Sequence, residues 1–272
     1  MLTAVTEHVL AVSLPGAPYS RVAVADLLAG EAARELARYV RALVPAGPER
    51  GDLLDEQAAH ARGIGWRAEA AEQSQVVALA VRKVSWRRIA EGFGVNVSTA
   101  HDRWAQAVGD FHRRYDEGMH RAAYGGPGPG EDDGPIPDRV QHLEQWVAAQ
   151  RETSDRDPGP AAVADRIRPM TLNEESGFLD ELRDILFDDH TPPPPELLLP
   201  ITLRAAEIDE AISALLRDRY GRAFAESAES AARSRAYARE LAAHSAPEIA
   251  ALYADRLAAP HIPAHVPHAR TA

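Results

Sequence analysis

The stretch VSWRRIAEGFGVNVSTAHDRW, residues 84–104, decides the reading of this chain. Its apolar residues follow helical spacing on both sides of Gly94, a residue that takes positive φ without steric penalty. Asn96 stands where a side-chain oxygen can accept from the free amides of a following helix. Ala90 is small, as two closely crossing helices require. Ile89, Phe93 and Val95 are expected to bury against the first helix, while Ala100 and Trp104, four apart, share the inward face of the second. The pattern predicts helices over 86–93 and 97–116.

The phrase IAEGFGVNVSTAHDRW resembles the helix-turn-helix of bacterial transcription regulators, resolvase-type recombinases and the promoter-reading region of sigma factors. The resemblance covers residues 84–104, and 67–112 with the supporting helix Arg67–Arg82. It implies that a recognition helix at about 97–108 enters the major groove and meets base edges with its N-terminal half. Carried over by position, Asn96, Val97, Ser98, His101 and Asp102 are the exposed readers. Ser98 and Thr99 are placed to reach a phosphate or a base edge, and Asp102 to accept from a cytosine amine. Arg87, Arg88 and Arg103 are the implied phosphate clamps, with Lys83, Arg113 and Arg114 as outer phosphate contacts. Arg103 departs from the pattern, which is usually apolar there; Trp104, one place later, is expected to supply the bulk.

Charge along the chain points the same way. The formal net charge is −11, but residues 82–124 carry 8 basic and 5 acidic side chains and form its only net-positive segment. A duplex reader needs local positive charge. The acidic remainder suits a protein partner or solubility. Lysine occurs once, at Lys83, and alanine and arginine dominate, which favours helix over sheet. The fold class expected is therefore mostly α.

Outward from the quoted stretch, helical spacing marks 24–44, 51–62 (with Gly63 and Gly65 interrupting) and Trp66–Val84. Residues 125–137, GGPGPGEDDGPIP, read as a solvated Gly/Pro/acidic linker. Beyond it, helices are expected at 138–153, 174–188, 203–219 and 223–258, with Pro192–Pro195 as a hard stop. This divides the chain into a helical domain over 1–124 containing the reading unit at 67–116, the linker, an acidic helical region over 138–258 and a disordered tail at 259–272. Trp66, Trp86 and Trp104 read as packing of the three-helix unit. Trp146 reads as core of the C-terminal helices.

Several chemistries find no support. With no cysteine, disulfides, thiolate zinc sites and cysteine nucleophiles are excluded. There is no HExxH, GxSxG, SxxK, Walker phosphate loop or strand-borne GxGxxG. His101, His112 and His120 with Asp116 are too dispersed for a metal site, and His261, His265 and His268 sit in the Pro-rich tail. Neither a membrane span nor a signal peptide is expected, and the location expected is cytoplasmic.

The function expected is sequence-specific binding of double-stranded DNA without catalysis or cofactor, in transcription regulation. A single reader offers few base contacts, so the helices after the linker are expected to dimerise or to receive a protein partner. The alternative is a helical adaptor that uses the three-helix unit and the acidic region for protein contacts.

Overall fold

A computed structural model of the chain describes residues 17–42, 53–123, 126–150, 162–187, 193–216 and 221–258. Every regular element among them is a helix, as the composition predicts. In chain order these are α1 (Arg21–Ala42), α2 (Leu53–Val81), α3 (Trp86–Phe93), α4 (Val97–Ala123), α5 (Ile136–Gln150), α6 (Ala162–Arg166), α7 (Leu172–Phe187), α8 (Pro195–Leu216), α9 (Gly221–His244), α10 (Pro247–Leu252) and α11 (Ala254–Ala258). The predicted tail at 259–272 lies outside the described residues.

Two compact units divide the chain. One comprises Tyr19–Gly118 with Pro129–Arg168; the other comprises Met1–Pro18, Met119–Gly128 and Pro169–Ala272. One crossing between the units falls after Gly128, inside the stretch read as a linker at 125–137, and residues 129–168 return to the first unit instead of starting a separate C-terminal region. Gly130, at φ +82°, lies against Val24, and an added Cβ there would come within 2.7 Å of the Val24 side chain. Arg139, buried in the next helix, donates through Nη1 to the Gly130 carbonyl at 2.6 Å and grips both carboxylate oxygens of Glu31 at 2.9 and 2.5 Å. The bond to Glu31 raises the Arg139 pKa still further, so this buried cation stays charged. α5 thus packs on α1, and Trp146, half-buried, belongs to this unit rather than to the C-terminal helices.

In the same unit α1 buries Ala23, Val24, Ala25, Leu27 and Ala29 and pairs with α2. Asp26 is buried on α1 and is satisfied twice: Arg82 donates to Oδ2, and Arg166 Nε donates to the same oxygen at 2.9 Å. α2 continues unbroken through Gly63 and Gly65, where an interruption was expected. Each glycine costs a helix only about 0.5–1 kcal/mol, and pairing with α1 outweighs that. The Arg67 guanidinium lies 3.3 Å from the centre of the Tyr39 ring and donates to the Gly63 carbonyl. Trp66 is 66% exposed, so it is not packing.

The second unit has α7, α8 and α9 as its main layers, with α8 and α9 the most extensively paired. α7 starts in a capping box: Thr171 N–H donates to Glu174 Oε2 at 2.8 Å, and Glu174 N–H returns to Thr171 Oγ1 at 3.4 Å. α8 opens at Pro195 itself, because proline's missing N–H costs nothing at a first helical position. The long helix expected over 223–258 ends at His244 and restarts at Pro247, whose ring disfavours helix at the preceding residue. Buried Glu175, Glu207 and Arg235 are each paired. Arg204 bridges Glu175 at 2.6 and 3.1 Å, Glu207 accepts from Arg256 at 2.8 Å, and Arg235 pairs with Glu210.

Candidate nucleic-acid interface

Two turns of the same design deliver α4. At the end of α2, Lys83 takes φ +60°; its N–H donates to Ala80 O at 2.8 Å, and Val84 N–H donates to Leu79 O at 3.1 Å. At the end of α3, Gly94 takes φ +67°; its N–H donates to Glu91 O at 3.3 Å, and Val95 N–H donates to Ala90 O at 3.0 Å. Both are Schellman closures, in which one left-handed residue turns the chain and satisfies the last carbonyls of a helix. Asn96 then caps α4. Its Oδ1 accepts from Thr99 N–H and from Ser98 Oγ–H, both at 2.8 Å.

Beneath the turns, Val76 of α2, Ile89 and Ala90 of α3, and Ala100 and Trp104 of α4 form one buried cluster. Leu79, Val84, Trp86, Val95 and Val108 pack around it. The alanines let α3 and α4 approach, and Trp104 fills the interior at 0% exposure. Phe93 was expected to be buried but is 36% exposed; its ring leans on Trp104, 5.0 Å between centres, at the edge of the cluster.

Every side chain singled out for reading or clamping faces outward: Lys83, Arg87, Arg88, Asn96, Val97, Ser98, Thr99, His101, Asp102, Arg103, Arg113 and Arg114 are all exposed. They fall into two sets. Asn96 caps α4 and Val97 through Asp102 occupy its first turns, whereas Arg113 and Arg114 lie about 16–18 Å beyond Asp102 along the axis, at about 1.5 Å per residue. His101 is steadied edge-on by the Trp86 ring, with centres 5.4 Å apart. The Asn96 and Ser98 oxygens are already engaged in the cap, which leaves the Asn96 amide N–H groups and Val97 as the freer groups at the tip.

The arginines are partly engaged as well. Arg87 pairs with Glu91 at 3.2 Å, Arg113 with Asp110 at 2.7 Å, and Arg103 with Glu72 of α2 at 3.3 Å. Among the described residues, Lys83, Arg88 and Arg114 have no carboxylate partner. Glu72 is a member of this surface that the sequence reading missed, since nothing in the spacing of residues 72 and 103 announces contact. No group of three or more His, Asp or Glu side chains among the described residues is placed to hold a metal ion. No helix among them is long and apolar enough to cross a membrane.

Comparison with protein-family models, with curated proteins and with solved structures finds no match to this chain.

Proposed function

We propose that this protein binds double-stranded DNA in a sequence-specific manner, as a non-catalytic transcription regulator, with the first turns of α4 in the major groove. The observation that carries the reading is the N-terminus of α4. It is capped by Asn96, held out by the left-handed turn at Gly94, anchored on Trp104 and flanked by Arg87, Arg88, Arg103 and Lys83. A positive helix end with exposed polar and small apolar side chains suits a phosphate-lined groove. Val97, 46% exposed in the first turn, offers an apolar contact to a thymine methyl. The helices from Leu172 onward are the part proposed to pair two copies or to receive a protein.

The test is selection of bound fragments from genomic DNA with the full-length protein at two salt concentrations. It is repeated with Arg87→Ala/Arg88→Ala. Enrichment of a few sequences, weaker at higher salt and lost in the double variant, is the expected result. Absence of enrichment at either salt overturns it. Capture of a protein partner without any duplex would then favour the adaptor reading.

A further inference from the structure

A cavity of about 220 Å³ opens in the second unit, between α7, α8 and α9. Leu179 of α7 and Ile208 of α8, both buried, form its apolar side. The rest is polar: Asp209 follows on α8, Ser230 and Ser234 stand on α9, and Asp180 and Arg183 on α7. Two hydrogen bonds fix α9 against α8 at this point. Ser227 Oγ donates to the Asp209 carbonyl and Ser230 Oγ donates to Asp209 Oδ2, both at 2.7 Å.

The cations around the cavity are engaged elsewhere. Arg183 pairs with Asp180 of its own helix at 3.2 Å, so those two charges offset each other. Arg233, which attracts Asp209 through space, pairs with Glu229 at 2.8 Å. Among the described residues, no arginine or lysine forms an ion pair with Asp209. Glu175 and Glu207 of the same unit differ in this, since each accepts from an arginine. Burial pushes the Asp209 carboxyl up, as befits a carboxylate drawn out of water with no cation bonded to it.

The serines decide which cation suits. A hydroxyl has one proton and two acceptor lone pairs. Ser230 gives its proton to Asp209, so its oxygen offers the cavity an acceptor. Ser234, one turn on along the same face of α9, adds a second, and Asp209 Oδ1 a third. Three acceptors around one uncompensated negative charge match a primary ammonium, which has three donors and no acceptor. A guanidinium fork calls for both carboxylate oxygens, and Oδ2 already accepts from Ser230. An anion would meet Asp209. The volume is below the roughly 300–1,000 Å³ of drug-sized sites, and the apolar side has room for a short chain. We propose that this cavity binds a small primary alkylammonium ion, with its N–H groups on Asp209 Oδ1, Ser230 Oγ and Ser234 Oγ and its alkyl chain on Leu179 and Ile208. The site uses no residue of the α3–α4 surface and stands whether or not the protein reads DNA.

Ligand-observed NMR titration of the full-length protein, in phosphate buffer and without DNA, tests it. Three probes of similar size separate the contributions: n-propylammonium, tetramethylammonium and 1-propanol. Tetramethylammonium carries the charge without N–H donors, and 1-propanol carries the chain without the charge. n-Propylammonium is expected to bind at least tenfold more tightly than either. Asp209→Asn, which keeps an acceptor for Ser230, and Ser234→Ala are each expected to weaken it, the first at least tenfold and the second at least threefold. A cooperative melt no lower than the parent's shows that a variant keeps its fold. Equal binding of the two cations would mean diffuse attraction to an acidic chain and would overturn the assignment. So would preference for 1-propanol, no binding of any probe, or a folded Asp209→Asn variant that binds n-propylammonium as well as the parent. The three-probe comparison on the unaltered protein decides the matter even if a variant fails to fold.

Discussion

Arg103 Nη2 stands 3.3 Å from Oε1 of Glu72, tying α4 to α2 through a pair that is partly open to water. Such pairs contribute about 0.2–1 kcal/mol, so a phosphate can displace the carboxylate. Glu72→Gln is expected to tighten duplex binding about two- to fivefold at low salt, with the gain shrinking as salt rises, since about 1.4 kcal/mol corresponds to tenfold. Filter binding across a salt series measures it; unchanged or weaker binding would remove Arg103 from the phosphate contacts.

Lys83 and Gly94 occupy the same left-handed position in two like turns, and only one of them is glycine. A non-glycine residue there pays about 1–2 kcal/mol. Lys83→Gly is therefore expected to stabilise the protein by roughly 0.5–1 kcal/mol, after the added freedom of the unfolded chain is deducted. Gly94→Ala is expected to cost about 1 kcal/mol. Nothing lies within 4 Å of a Cβ built at Gly94, so that cost is conformational and not a clash. Urea melts of the two variants with opposite signs are the prediction; equal signs would contradict it.

The local parts of this surface were legible in the sequence. Gly94, the Asn96 cap, the small residues Ala90 and Ala100 and the inward Trp104 follow from spacing and backbone preference within about twenty residues. What escaped depends on partners distant in sequence. Gly63 and Gly65 look like breaks until α1 pairs with α2. Residues 125–137 look like a linker until Gly130 finds Val24 and Arg139 finds Glu31. Trp66 resembles any core tryptophan until its exposed place on α2 is seen. Lys83 gave no warning, because lysine has no preference for left-handed backbone.

Trp104 Nε1 is buried with no hydrogen-bond partner among the described residues. An unsatisfied buried donor costs about 1–3 kcal/mol. Trp104→Phe removes that donor along with part of the volume, and the two effects oppose each other. We expect a net change below about 1.5 kcal/mol for phenylalanine and a loss of about 3–5 kcal/mol for Trp104→Ala. Chemical denaturation of both variants checks this, and a phenylalanine variant as unstable as the alanine one would contradict it.

Burial pushes the Asp209 carboxyl above its usual range, against the opposing bond from Ser230 Oγ at 2.7 Å. An acid whose folded pKa is raised holds its proton better folded than unfolded. Its contribution is favourable at low pH and is lost as pH rises from the unfolded value, about 3.9, through the raised folded one. Asp209→Asn keeps an acceptor for Ser230 without the charge. Its melting temperature is expected to match the parent near pH 3 and to exceed it increasingly toward neutrality, then level off. A difference independent of pH would show that Asp209 ionises normally in the fold.

The first unit is closed by bonds of very unequal reach. The cluster under the two turns draws on Val76 through Trp104, whereas Arg139 reaches back 108 residues to Glu31, and Arg166 reaches back 140 to Asp26. Nearby contacts form with little loop entropy, and distant ones must wait for closure. The contacts of α3 and α4 with the end of α2 therefore close short loops at little entropic cost. The Asp26 carboxylate joins both scales, since Arg82 meets it from 56 residues away and Arg166 from 140. One oxygen thus pins the chain twice, once within the helical pair and once across most of the unit's length of sequence.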